Sequence, residues 1–523
     1  VVDDVLVAKG YRPVQRDQQF LMPPSMREWL AADDPVWLVI ETVAALDTSG
    51  LHAKRKTGGV GRAGYDPDML LTLLIWGWAH GQRSSRQLER LCQRDVAYRI
   101  ICAGDAPDHV TISRFRADCT DVVEDLFTQV LALCARVGMG QLGVVALDGV
   151  KIASNASTSA NRTADGLWKA LAAEAARASA EHAAIDAAED DQHGPGRGDQ
   201  LPPELADHSS RRARIAQALA QLPAATDAAE VEAHTRRVAG GEGGRYPIAT
   251  RVEALTASWH RARAVQQAKI DRYRPGQRGP RPVAVDDHLF VRRARARLDH
   301  AIADRDRREK QAARSADARV AGPRRNITDP QSRLMPLRGG GWVQGYNCQA
   351  VTSEDGLIIA TGVNNNNADV VAFADMFSKA IDAAELIDAH HHRADGIGVL
   401  LADAGYLSDA NLTMPGPDRL IAIGKSREIH KTARTSPTHG QPPPDATPVE
   451  AMAHRLATEE GHRLYSKRSH IAETPFGHAK HNLGFKRFTG RGIDRATAEF
   501  SFHGLVHNLM KAIGTGYLNP ATT

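Results

Sequence analysis

Two short apolar runs in this chain each end in an aspartate. Val144-Val145-Ala146-Leu147 leads into Asp148, and Val399-Leu400-Leu401-Ala402 leads into Asp403. Runs of this length read as buried strands. In open α/β sheets, functional groups gather at the carboxyl ends of the strands. Two carboxylates on neighbouring strand ends make an oxygen-only donor set. Mg²⁺ favours such a set, because it binds few carboxylates and leaves its other positions to water and phosphate oxygens. A lone strand-end aspartate is more often a turn residue, so the pair gains weight only from a third carboxylate in basic surroundings. Glu473 supplies it, within Tyr465-Ser466-Lys467-Arg468-Ser469-His470-Ile471-Ala472-Glu473 and ahead of Lys480. On a continuous helix Glu473 and Lys480 lie two turns apart and share a face. A carboxylate flanked by Lys, Arg and Tyr suits a metal ligand bordered by phosphate contacts; the plain alternative is a solvated charged helix.

The elements around these residues follow from pattern. Up to about residue 140 the chain reads as helical. Asp66-Pro67 opens one helix, with an acidic cap and Pro at its first position. Arg83-Ser84-Ser85-Arg86 opens a second, carrying Leu88 and Leu91. After the turn at 104–107, Asp108 caps a third: His109-Val110-Thr111-Ile112-Ser113-Arg114-Phe115-Arg116. Two short helices joined through a turn, the latter with Thr111, Ser113, Arg114 and Arg116, resemble a helix-turn-helix. Residues 342–351 and 357–361 read as a hairpin, and 420–423 as a further strand. A closing helix carries the stripe Phe502, Leu505, Val506, Leu509, Met510 and Ile513.

Between the first strand and the hairpin lies an Ala/Arg/Glu-rich block, broken by Gly/Pro stretches at 194–198, 240–244 and 275–282. It reads as an insertion of long solvated helices. The whole chain of 523 residues has 66 Lys+Arg against 62 Asp+Glu, a formal charge of +4. That near-balance is a cancellation. Residues 161–244 hold 9 basic against 14 acidic side chains, whereas residues 245–325 hold 21 against 9. A basic stretch is the footprint of a polyanion partner. Within it, Trp259 is a candidate for stacking on an unpaired base, although Trp in a helix is more often a packing anchor. His390-His391-His392 resembles a metal tract by composition alone. At 42% hydrophobic and 24% charged residues, global disorder is excluded. No stretch reaches the roughly 20 apolar residues of a membrane span. The start, Val1-Val2-Asp3-Asp4, does not read as a secretory signal. Five cysteines without a CxxC pair argue against a disulfide framework or zinc site and fit a reducing cytoplasm.

With these motifs in view, the chain resembles the DDE transposases of bacterial insertion sequences. The likeness runs from Gly64-Tyr65-Asp66-Pro67, through Pro107-Asp108-His109-Val110-Thr111, to Lys480-His481-Asn482-Leu483-Gly484-Phe485. It assigns the catalytic, metal-binding carboxylates to Asp148, Asp403 and Glu473. It maps the family's tyrosine–arginine–glutamate–lysine signature to Tyr465, Arg468, Glu473 and Lys480, with one extra residue between arginine and glutamate. It further implies a ribonuclease H-like catalytic domain, α/β in class: a five-stranded mixed sheet with flanking helices. A long helical insertion would split this domain, behind an all-α N-terminal domain. The boundaries expected are 1–140 for the helical DNA-binding domain, 141–163 and 326–523 for the two parts of the catalytic domain, and 164–325 for the insertion.

The implied chemistry is cleavage at the element ends and joining of 3′-hydroxyls to target DNA, with two Mg²⁺ ions about 3.5–4 Å apart, for which Mn²⁺ can substitute. The implied partners are double-stranded DNA and a second copy of the chain, with no membrane; the implied place is the cytoplasm, at the nucleoid. Tyr465, Arg468, Lys480, Arg83, Arg86, Thr111, Ser113, Arg114 and Arg116 are the expected DNA contacts. The rival functions are a ribonuclease H-like nuclease without strand transfer and an inactive transposase-derived DNA-binding protein.

Overall fold

The computed structural model describes residues 25–54, 64–174, 176–177, 206–222, 248–276, 280–320, 323–337, 340–391, 395–424 and 426–518. The Gly/Pro breaks at 194–198 and 240–244, and His392 of the histidine run, lie outside them. The chain divides into two compact units. One joins Val1–Ala156 to Ser332–Thr523, and the other is Ser157–Gln331.

The first unit begins with helices α1 (Pro35–Ala45), α2 (Pro67–Ala79), α3 (Ser85–Arg94), α4 (Val96–Ile101), α5 (His109–Asp118) and α6 (Val123–Arg136). Strand β1 (Val144–Ala153) follows. The second unit contains β2 (Asn161–Arg162), α7 (Ala206–Ala220), α8 (Ile248–Arg272), α9 (Leu289–Val320) and β3 (Arg325–Asn326). The chain then returns to the first unit with β4 (Arg333–Pro336), β5 (Trp342–Ser353), β6 (Ile358–Asn364), α10 (Phe373–His391), β7 (Val399–Ala402) and β8 (Asp418–Ile421). It closes with α11 (Pro448–Leu456), α12 (Glu459–Ser466), α13 (Arg468–Gly477) and α14 (Ile493–Gly514).

Capping sets the helix starts. Asp66 accepts from the Asp68 amide at 2.7 Å, ahead of Pro67. Asp108 accepts from the Val110 and Thr111 amides, both at 2.9 Å. These bonds satisfy donors that a helix leaves unpaired at its start. Between the two helices read as a helix-turn-helix the structure inserts α4, capped by Asp95, so the motif is a three-helix arrangement. Helix α2 is apolar nearly all round and buries Leu70, Leu71, Leu73, Leu74 and Ile75. Each such side chain contributes about 1.5–3 kcal/mol through burial. Its Trp78 meets Phe485 and Phe502 edge-on, at 5.2 and 5.5 Å between centroids. The N-terminal helices and the closing helix α14 therefore share one core.

The sheet is mixed. β1 runs antiparallel to β5 and parallel to β7, and β7 runs parallel to β8. Both β4 and β6 pair with the far edge of β5, β4 with its first residues and β6 with its later ones. Six strands thus replace the five expected, because β4 is too short to show a period of its own and is held by pairing to β5. β1 also outruns its expected end at Asp148, since the ladder to β5 continues through Ala153↔Gly345. Alternate residues feed two cores: Val145 and Leu147 one, Val144 and Ala146 the other. Leu400 and Leu401 of β7 divide in the same way, so apolar cores cover the sheet on both sides.

In the second unit, α8 and α9 pack together. Leu167, Ile215 and Ala218 form a small separate core. All five cysteines are buried and none is in a disulfide. No helix among the described residues is long and apolar enough to cross a membrane.

Candidate active site

The parallel register of β1 and β7 ends at Leu147↔Ala402, so Asp148 and Asp403 follow as neighbours just beyond the last pair. There β7 stops while β1 continues along β5, and one edge of β1 opens beside Asp148. Asp403 caps a 3₁₀ turn (Ala404–Tyr406), its Oδ1 accepting from the Gly405 amide at 2.7 Å. Asp148 Oδ1 accepts from the Gly149 amide at 2.8 Å.

Asp148 Oδ2 lies 3.4 Å from Nη1 of Arg468, the first residue of α13. The other arm of the same guanidinium, Nη2, lies 4.0 Å from Glu473 Oε1. Asp148 and Arg468 keep 15% of their side-chain surface exposed, and Glu473 keeps 63%. The Tyr465 hydroxyl donates to the carbonyl of Ala402, next to Asp403, at 3.2 Å. Burial pushes that phenol's pKa up and keeps it a donor. Asp148, Asp403, Tyr465, Arg468 and Glu473 are therefore brought together, from opposite ends of the sequence.

No hydrogen bond or ion pair among the described residues joins Lys480 to them. After Pro475, α13 gives way to a π turn over His478–Asn482, so the two-turn spacing from Glu473 no longer sets a common face. The Lys480 amine is half-buried near Cys348 of β5, and burial pulls its pKa down.

Four residues escaped the sequence reading. Asp369 opens a 3₁₀ turn after β6. Its Oδ1 accepts from Asn347 Nδ2 at 2.7 Å and Gln349 Nε2 at 3.0 Å. Tyr406 is fully buried and donates its hydroxyl to Gln349 Oε1. The sequence signal was the pair of polar residues at period two, Asn347 and Gln349, in a strand otherwise apolar enough to be buried. Both are fully buried, and buried amides need partners.

Asp148, Asp403 and Glu473 are the residues that could hold a divalent ion. Their oxygen-only donor set fits a hard cation, and Arg468, the positive partner of Asp148 and Glu473, marks the place as one where cationic charge is favoured. The carboxylates stand wider than a single closed coordination shell. Among the described residues, only His52, Asp66 and Asp68 bring three ligand atoms within 4.8 Å of one another. That exposed group is occupied in capping α2 and in the His52–Asp68 pair.

The expected DNA contacts divide. Arg86, Ser113 and Arg114 line one surface hollow with Ser84, Ser85, His109 and Val110. Thr111 turns its hydroxyl to Asp108. Arg83 points inward, donating to the carbonyls of Arg487 at 2.9 Å and Gly484 at 2.8 Å, with Glu499 at 3.7 Å. Arg116 is half-buried near Glu499, and burial lowers its pKa. In the second unit, the guanidinium carbons of Arg263 and Arg295 lie 5.1 and 5.0 Å from the Trp259 ring centroid. That ring is already engaged by cations.

The fold and site define a mixed α/β protein with carboxylates converging at adjacent strand ends under a charged helix. Residues 25–118 match the family model described as a transposase domain, and residues 437–513 match the model described as a transposase DDE domain. Together the two matches support a DDE transposase of an insertion element. Glu473 lies inside the second match; Asp148 and Asp403 lie between the two. This class implies DNA binding and, in general, the use of divalent metal ions. No curated protein and no solved structure matches the chain.

Proposed function

We propose that this transposase binds the ends of its element, cuts the DNA there and joins the freed 3′-hydroxyls to target DNA at Asp148, Asp403 and Glu473. One observation carries the reading. Asp148 and Asp403 stand side by side where the β1–β7 ladder ends, and Arg468 spans from Asp148 to Glu473. When bound, two Mg²⁺ or Mn²⁺ ions would activate the attacking oxygen and stabilise the leaving one. Asp148 would hold both ions, Asp403 one and Glu473 the other. The attacking oxygen would come from water or from a 3′-hydroxyl, so no serine or cysteine intermediate is needed. Arg468 would release Asp148 and Glu473 and take a phosphate oxygen instead, a use suited to its planar fork. Tyr465 would fix the helix over the strand end through its bond to Ala402.

On this reading the order β6-β5-β1-β7-β8 is a ribonuclease H-like sheet. Residues 141–163 and 326–523 would carry it, residues 1–140 would bind DNA, and residues 164–325 would be the insertion. The surface of Arg86, Ser113 and Arg114 would meet the element end, while the basic α8–α9 pair would track phosphates. Two copies would act together on two ends, in the cytoplasm at the nucleoid.

The test is a cleavage and joining assay with the full chain, Mg²⁺ and duplexes from the DNA flanking the gene. Asp148→Asn protein that cleaves at the wild-type rate sinks the assignment. Cleavage without joining from a pre-cut 3′-hydroxyl end favours the nuclease. Binding without cleavage favours the inactive DNA-binding protein.

A further inference from the structure

We propose that Asp369 is a fourth carboxylate of this metal centre, serving the ion held between Asp148 and Asp403. The inference rests on the assignment of Asp148, Asp403 and Glu473 as metal ligands.

Its first support is the way Asp369 is held. Oδ1 takes two amide donors, from Asn347 and Gln349, which are 1% and 0% exposed. Gln349 is fixed in turn by the hydroxyl of Tyr406, three residues after Asp403. An amide that accepts from a phenol and donates to a carboxylate has one orientation available. Metal-binding residues are commonly aimed by outer hydrogen bonds of this kind.

The second support is where the other oxygen points. Oδ2 accepts no hydrogen bond among the described residues. It lies 3.1 Å from the position a Cβ would take on Gly405, and Asp403 Oδ1 lies 2.9 Å from that same position. Asp369 Oδ1 lies 3.0 Å from the corresponding position on Gly149, the neighbour of Asp148. Asp369 thus sits against the backbone that follows each strand-end aspartate. The negative charges of Asp369, Asp148 and Asp403 all bear on the Tyr406 phenol, whose pKa burial has already pushed up. A cation placed among them would be attracted by all three charges.

A third observation concerns the other end of the Asn347 amide. Among the described residues, buried Asn347 Oδ1 has no hydrogen-bond partner. Leaving such an acceptor unpaired in the interior is unfavourable. A water carried by a bound ion would donate to it.

The experiment is Mn²⁺ titration of the full chain without DNA, by calorimetry and by electron paramagnetic resonance, with far-UV circular dichroism as the fold control. The proteins are wild type, Asp148→Asn, Asp369→Asn and Asp369→Ser. The expected result is that both Asp369 variants, still folded, bind Mn²⁺ roughly tenfold or more weakly at one of two sites. If Asp369 merely props the fold, both variants unfold more readily yet bind Mn²⁺ as the wild type does, and the proposal is overturned. Should Asp148→Asn lose Mn²⁺ while the Asp369 variants keep it, only this proposal falls. Should the wild type bind no more Mn²⁺ than Asp148→Asn, the metal-centre assignment falls with it.

Discussion

Arg468 and Asp148, 320 residues apart in sequence, meet at 3.4 Å between Nη1 and Oδ2. Both are mostly buried, and the same guanidinium reaches toward Glu473. A cation bound by these carboxylates must compete with that pair. Arg468→Gln is therefore expected to raise Mn²⁺ affinity, by about 1 kcal/mol or roughly fivefold, in line with a modest ion pair. DNA cleavage should fall in the same variant, because a phosphate contact is lost. The two measurements must move in opposite directions; a parallel loss would mean that Arg468 orders the site instead of opposing the ion.

The backbone beside the acids leaves no space for side chains. A Cβ on Gly405 would meet Asp403 Oδ1 at 2.9 Å and Asp369 Oδ2 at 3.1 Å, and one on Gly149 would meet Gln349 Nε2 at 2.6 Å. These neighbours are ends of side chains, which can move aside. Gly405→Ala should therefore cost little stability, on the order of 1 kcal/mol, while displacing the carboxylates and cutting divalent-ion binding severalfold. A thermal melt and a Mn²⁺ titration on one sample separate the two effects. Loss of both together would point to a general collapse of the turn.

The strand-end aspartates were legible because an apolar run ending in Asp is a local pattern, and the parallel register then did the rest. Asp369 was not legible. It follows the run Asn364-Asn365-Asn366-Asn367, which reads only as a cap, and Asn366 does accept from the Ala368 amide at 3.0 Å. What singles Asp369 out is its partnership with Asn347 and Gln349 across β5, a tertiary fact. The end of β1 was hidden for a similar reason. Gly149-Val150-Lys151 breaks the apolar run, but pairing to β5 carries the strand onward. The Glu473–Lys480 spacing presumes unbroken α geometry, which the π turn interrupts.

A cluster of imidazoles ties stability to pH. His503 is fully buried beside Trp78 and His507, and burial holds its pKa well below the usual value. Burial also lowers His507, to about 4, from an ordinary value of 6.5. Both are neutral in the folded chain. Between those two values the unfolded chain binds protons that the folded chain refuses. Stability is therefore full above about pH 6.5 and falls as pH drops toward 4, by on the order of 1–2 kcal/mol for His507 at pH 5. His507→Gln can keep the bond to the Gly356 carbonyl without titrating. Its melting temperature should fall less than the wild type's from about pH 7.5 to about pH 5.5. Equal falls would remove His507 from the account.

Two arginines of the N-terminal helices should fail in different ways. Arg114 is exposed on the hollow it shares with Arg86 and Ser113. Arg83 is spent on two carbonyls, on Glu499 and on the rings of Trp78 and Phe485. Replacing Arg86 and Arg114 together by Ala should leave the melting temperature almost unchanged, weaken DNA binding and lower the slope of log affinity against log salt by roughly 2, one for each phosphate contact. Arg83→Ala should instead leave Glu499 buried without its cation and cost about 3–5 kcal/mol in urea unfolding. Its DNA affinity, measured on the protein that remains folded, should keep the wild-type salt slope. If Arg83→Ala lowered the slope while unfolding normally, Arg83 would have to leave its carbonyl partners to reach DNA, and the inward position would be only the resting state of that side chain.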